Sequence, residues 1–264
     1  MIYFRLIAAS MRSQLQYRVS FALDALGAFL STFVEFLALA LAFGRFGGLG
    51  GWSIWQIAFL WGLTEAAFGV MDMLFSGFDP ASFSQHVRRG TLDQILLRPV
   101  NLIVQILASE FVLRRVGRIL EGGLIFVLAV ANLSIAWTPL KLAYLPLVFA
   151  SAVAFYGALF VAGATLSFWT TEALEIVNVF TYGGTTMASY PMNIYTDWLR
   201  RIFTYVIPTA LIIYYPALFF FDLPDPAGLP VWASFLAPLA GFGLLALAFL
   251  GFRFGLRRYA STGV

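Results

Sequence analysis

The sequence predicts an all-α integral membrane fold, and three observations carry that prediction. Of 264 residues, 61% are hydrophobic and only 11% are charged, whereas a soluble domain carries roughly 25% charged residues. Mean hydropathy is +0.87, and so much apolar surface requires lipid as its solvent. Six stretches are long and apolar enough to cross about 30 Å of hydrocarbon, which takes ~20 helical residues. The chain reads as a single transmembrane unit over 1–264, its length used up by spans and short connections.

The spans fall at about 19–43, 53–77, 112–136, 143–169, 173–195 and 232–256. Asp24 and Glu35 interrupt the first, which therefore reads as a retained span rather than a cleavable leader. Residues 1–18 mix Tyr3, Phe4, Leu6, Ile7, Met11 and Leu15 with Arg5, Arg12 and Arg18, a pattern that suits an amphipathic helix lying on the cytoplasmic face. The fifth span is rich in Thr, Gly and Asn. In the region 196–231 that follows, 198–221 is long enough to span, but Arg200 and Arg201 open it and Pro208 and Pro216 interrupt it. It reads as re-entrant half-helices on the outer side, since irregular backbone at membrane depth must be packed within protein. The alternative is a seventh span.

Basic residues set the orientation. With six spans, one side holds 12 of the 16 basic residues and the other holds Arg45, Lys141, Arg200 and Arg201. The richer side is expected to be cytoplasmic, with both termini on it. A seventh span would make the split 9 against 7. Trp52, Trp55, Trp137, Trp169 and Trp232 fall at span ends, where indoles favour the interface, while Trp61 lies inside a span and reads as packing.

Composition also excludes several chemistries. The net charge of +3 is too small to suggest nucleic acid, and the absence of cysteine removes disulfides and thiolate sites. The single histidine, His86, makes neither a metal site nor a catalytic triad and reads as a solvated loop residue. A phosphate loop needs a Lys after its glycines. Lys141 is the only lysine and has no glycine loop before it, while the glycines at 47–51 have no Lys. No internal repeat of 20–50 residues is visible.

The longest cytoplasmic stretch, 78–111, carries the most information. Asp79 caps a helix beginning at Pro80, Gly90 breaks the chain, and Thr91 with Gln94 has the spacing of a capping box. Leu92, Ile95 and Leu96 share one face of the second turn, Pro99 ends it, and Arg88, Arg89 and Arg98 supply a basic face. Two short surface helices with a kink are expected, suited to a partner that grips them and moves the flanking spans.

The run Arg89-Gly90-Thr91-Leu92-Asp93, followed by Leu96-Leu97 and Pro99-Val100, resembles the cytoplasmic loop of ABC-2 family permeases. Two further segments resemble one subfamily of them. One is Tyr190-Pro191, Trp198-Leu199-Arg200, Ile207-Pro208 and Tyr214-Tyr215-Pro216; the other is 258–263, beginning Arg258-Tyr259. The resemblance implies the six-span permease subunit of an ATP-driven exporter, in the inner membrane of a prokaryote. It implies a second permease, identical or paralogous, and a separate ABC ATPase carrying ATP and Mg, with no cofactor on this chain. It makes 80–98 the element that holds a coupling helix, with Arg88, Arg89, Gly90, Thr91, Leu92, Asp93, Ile95, Leu96 and Pro99 as the ATPase-coupling residues.

Mid-span polar residues mark a candidate translocation pathway. Ionisable groups within a span usually face a bundle interior or cavity, which singles out Glu35 and Glu65; a polar contact locking spans together is the competing reading. Asp24 and Asp72 lie nearer the interface. Asn178, Thr181, Tyr182 and Thr185 in span five either line a pathway or permit close packing. Arg114, Arg115 and Arg118 read as general positive-inside charge, with binding of anionic lipid heads as the alternative. Two other function classes fit less well. A membrane-embedded lipid-modifying enzyme needs His, Asp or Glu clustered at one face, and a proton-coupled carrier shows inverted repeats with paired broken helices.

Overall fold

The computed structural model describes residues 14, 16, 18–46, 48–170, 178–225 and 228–259. Among them the regular elements are helical, with one isolated bridge between Leu49 and Trp52. Most of the expected surface helix at 1–18, the start of span five at 173–177 and residues 260–263 lie outside the described residues.

Two long helices, α1 (Arg18–Phe46) and α2 (Ile54–Phe75), are followed by three short ones, α3 (Pro80–Arg88), α4 (Thr91–Leu96) and α5 (Leu102–Ser109). Then come α6 (Val116–Asn132) and α7 (Pro139–Leu166). A π turn (Val179–Gly183) leads into α8 (Gly184–Ala188). Helix α9 (Asp197–Arg201) continues through a π turn (Ile202–Val206), and α10 (Thr209–Ile212), α11 (Tyr214–Phe220) and α12 (Ala237–Leu256) complete the order.

Four helical runs are long and apolar enough to cross a membrane: Arg18–Arg45, Ile54–Arg88, Pro139–Leu166 and Ala237–Leu256. Local chemistry sets their starts. Ser53 and Gln56 form a reciprocal capping box at α2, a signal the sequence reading had assigned elsewhere. Thr138 caps α7, with Pro139 in the first turn. Helix α6 is shorter than the expected 112–136. Its 17 residues rise about 25 Å, and the helix stops at Asn132 because 133–138 is irregular up to Pro139.

The long helices pack in a row: α1 on α6, α6 on α2, α2 on α7, and α7 on α12. Small residues allow the closest approach. A Cβ on Gly62 of α2 would lie 2.5 Å from the Phe126 backbone nitrogen, and one on Gly122 of α6 would lie 2.5 Å from that of Ala66. Rings fill the centre, with Phe59, Phe68, Phe155, Tyr156, Phe160 and Phe220 fully buried.

The segment 178–220 packs against α2, α7 and α12. Its helical halves, Asp197–Val206 and Thr209–Phe220, are bent by 67° at the break. Both outer ends return to the same end of the bundle. Asn193 Nδ2 donates to Gly50 O at 2.6 Å, in the α1–α2 turn. Lys141 Nζ, at the start of α7, donates to Phe220 O at 3.0 Å and Asp222 Oδ2 at 2.7 Å. Both contacts tie the segment to the end of the bundle that holds the α1–α2 turn and the start of α7. Trp52 departs from expectation: it is 6% exposed and stacks on Tyr214 at 5.6 Å, because the returning half-helix covers it. Trp137, Trp169 and Trp232 do lie exposed at helix ends.

Candidate functional site

Helices α1, α2, α6 and the 178–190 segment enclose a cavity of about 640 Å³. From α1 come Ser31, Thr32 and Glu35; from α2, Trp61 and Glu65; from α6, Arg115 and Arg118; from the last segment, Tyr182, Thr185, Ser189 and Tyr190. Of the expected pathway residues, Glu35, Glu65, Tyr182 and Thr185 meet here. Asn178 and Thr181 do not line it; Thr181 is buried, and its hydroxyl donates to Asn178 O at 3.4 Å.

Charge pairing organises the inner wall. Arg118 Nε lies 2.5 Å from Glu65 Oε2, and Arg115 Nε lies 2.8 Å from Asp72 Oδ2. The two carboxylates are buried, and the Arg118 guanidinium also sits 4.3 Å from the centre of the Phe68 ring. These arginines, expected as general inner-face charge, instead pair with buried acids. The reason is that α6 runs antiparallel beside α2 and its first turns face two acids that would otherwise be buried alone. Glu121, which the sequence reading passed over, is fully buried and accepts from Trp61 Nε1 at 3.3 Å. Glu35 is exposed in α1 and forms no ion pair among the described residues.

At the other end of α2 lies the kinked pair α3–α4. Asp79 accepts from the backbone nitrogens of Ala81 and Ser82 at 3.0 Å, with Pro80 in the first turn. Gly90 has φ 65°, the left-handed conformation that glycine adopts without strain. Here the structure corrects the expected capping box. Gly90 takes the cap position, and Thr91 Oγ1 turns back to His86 Nδ1 at 2.8 Å, so His86 is engaged rather than free in solvent. Phe83 is buried between Phe168 and Phe252, at the ends of α7 and α12.

Leu92 is also fully buried, and Ile95 is partly buried. The exposed apolar tip is therefore Leu96 and, above all, Leu97, which is 85% exposed. Around it Arg88, Arg89, Arg98 and Pro99 are exposed. Helical spacing correctly put Leu92, Ile95 and Leu96 together, but half of that face closes on the protein's own core. Leu97, the next residue, lies on the free side.

Residues 29–263 match the family model described as ABC-2 family transporter protein. The chain belongs to the ABC-2 transporter family. No curated protein and no solved structure matches it. As a multi-pass transport permease, the protein brings two of its signature segments together at the α3–α4 end. Tyr259, from the C-terminal segment, packs on Phe168 at 5.9 Å and lies beside Asp93 of the loop. Burial and the Asp93 carboxylate push the Tyr259 phenol above its ordinary pKa, so it stays a neutral donor. Tyr259 thus joins the start of the C-terminal segment to the loop, a link that linear spacing gives no means to see.

Proposed function

We propose that this permease is the membrane-spanning subunit of an ATP-driven exporter and works as a dimer with a separate ATPase, which carries ATP and Mg and docks on α3–α4. The observation that carries this reading is the exposed Leu96–Leu97 tip on a loop that also exposes Arg88, Arg89 and Arg98. An apolar anchor with a basic rim has the composition of a docking centre. Phe83 roots the loop in the ends of α7 and α12 and Leu92 is buried, so a push on the tip reaches the long helices. Rigid movement of such an element, rather than chemistry on this chain, is the motion that would open and close the pathway.

Arg253, Arg257 and Arg258 stand at the same end as the basic loop, which supports a cytoplasmic placement for that end and a prokaryotic inner membrane for the protein. The dimer is supported by Glu35. A carboxylate exposed midway along an apolar helix does not face lipid without a large cost, and a second permease closing the cavity's open side removes that exposure.

The test is capture of the ABC ATPase that co-purifies with this chain. Leu97→Asp is expected to leave insertion and folding intact while weakening ATPase capture by about 30-fold, the equivalent of ~2 kcal/mol at a buried anchor. Equal capture by wild type and variant would overturn the coupling role of this tip.

A further inference from the structure

We propose that the cavity between α1, α2, α6 and 178–190 is a binding site for a cationic cargo, an amine, quaternary ammonium or similar organic monocation with an apolar body. This deepens the reading of the chain as a permease and rests on it. The argument begins with charge. Four carboxylates gather at or behind the cavity wall, Glu35, Glu65, Asp72 and Glu121, against two guanidiniums, Arg115 and Arg118. Both guanidiniums are committed, Arg118 to Glu65 and Arg115 to Asp72. No ion pair engages Glu35 or Glu121 among the described residues.

Glu121 is fully buried, yet its Oε2 has no hydrogen-bond partner, and its Oε1 holds only the Trp61 indole that faces the cavity. Glu35 and Tyr190 both line the cavity, and the Glu35 carboxylate is exposed there without an ion pair among the described residues. A cation entering beside Glu35 gains the partner that this carboxylate lacks, while an anion is repelled by it. At low dielectric the difference is large over this range of distances.

Shape and ring chemistry agree. Trp61 and Tyr190 meet edge to face with centroids 6.3 Å apart on one wall, and Tyr182 adds a third ring. Aromatic faces attract cations, most strongly where water is displaced. Ala28 and Ala38 keep the α1 wall shallow, and about 640 Å³ lies within the range of small-molecule sites.

Tetraphenylphosphonium and tetraphenylborate, equal in shape and opposite in charge, separate this idea from simple hydrophobic capture. With the purified chain in phosphatidylcholine nanodiscs, radiolabelled tetraphenylphosphonium is expected to bind saturably and tetraphenylborate is not. Glu35→Gln should weaken the cation by about tenfold, and Glu35→Asp should retain it. Tyr190→Leu, which keeps every carboxylate, should also weaken it. Binding of both ions alike, preference for the borate, or identical binding by wild type and Glu35→Gln would overturn the proposal. Such a failure with Leu97-dependent ATPase capture intact strikes the cargo class alone; loss of that capture with cation binding intact strikes the coupling reading instead.

Discussion

Helices α1 and α2 look interchangeable in sequence, since each is long and apolar and carries one glutamate near its middle. Their surroundings differ completely. The most apolar stretch of Arg18–Arg45 has mean hydropathy 2.0 and is 6% buried, while that of Ile54–Arg88 has mean hydropathy 1.4 and is 83% buried. The greasier helix is the less buried one, because lipid removes the water penalty and hydropathy no longer sorts inside from outside. Glu65 is therefore sealed against Arg118, whereas Glu35 remains open to the cavity. One glutamate has become part of the scaffold, and the other is available to bind.

Three sets of substitutions bear on this contrast. The largest effect is expected from glycine. Gly62→Val drives a side chain into the α6 backbone, while Gly27 on α1 has nothing within 4 Å of its would-be Cβ. Gly62→Val should lower stability by about 4 kcal/mol or more and abolish a monodisperse gel-filtration peak; Gly27→Val should leave the peak unchanged. Equal losses would erase the distinction between the helices. Next comes the acid pair. Glu65→Ala strands Arg118 in the bundle and is expected to cost about 3–5 kcal/mol. Glu35→Ala should stay within about 0.5 kcal/mol. Thermal unfolding in detergent compares them, and restoring stability to Glu65→Ala with a second change, Arg118→Leu, would show that the stranded charge is the cause. The smallest effect is at the start of α2, where Ser53→Ala removes the capping box at about 1 kcal/mol. A fall in melting temperature much larger than Gly62→Val produces would reverse the order.

Much of this organisation is legible in the residues. The four long apolar helices, the Asp79 cap, the turn at Gly90 and the break at Pro208 all follow from local rules, because each concerns the pattern or backbone geometry of one segment. What escaped was tertiary pairing. Arg115 and Arg118 look like general inner-face charge, and nothing in their own helix contradicts that. A signal was nevertheless present: Glu65 and Asp72 lie two turns apart on α2, and two arginines lie one turn apart on the helix that returns beside it. Two acids on one helix and two bases on its antiparallel neighbour would have suggested ion pairs between them. Leu92 was misjudged for a related reason. Helical periodicity defines a face, but only the packing of Phe83 and Leu92 on neighbouring helices decides which part of that face is free. Thr91 shows the same limit locally, since its hydroxyl had two partners within reach and took His86.

The anchoring of the outer segment has a chemical consequence. Lys141 is the chain's single lysine and is 3% exposed, with its ammonium tied to Phe220 O and Asp222. There is no cysteine. The folded protein thus offers covalent labels almost no reactive side chain, neither thiol nor accessible lysine amine. Acylation at Lys141 is expected only when the segment ending at Asp222 lifts from α7, so its rate would report that opening, readable by mass spectrometry on the unaltered chain.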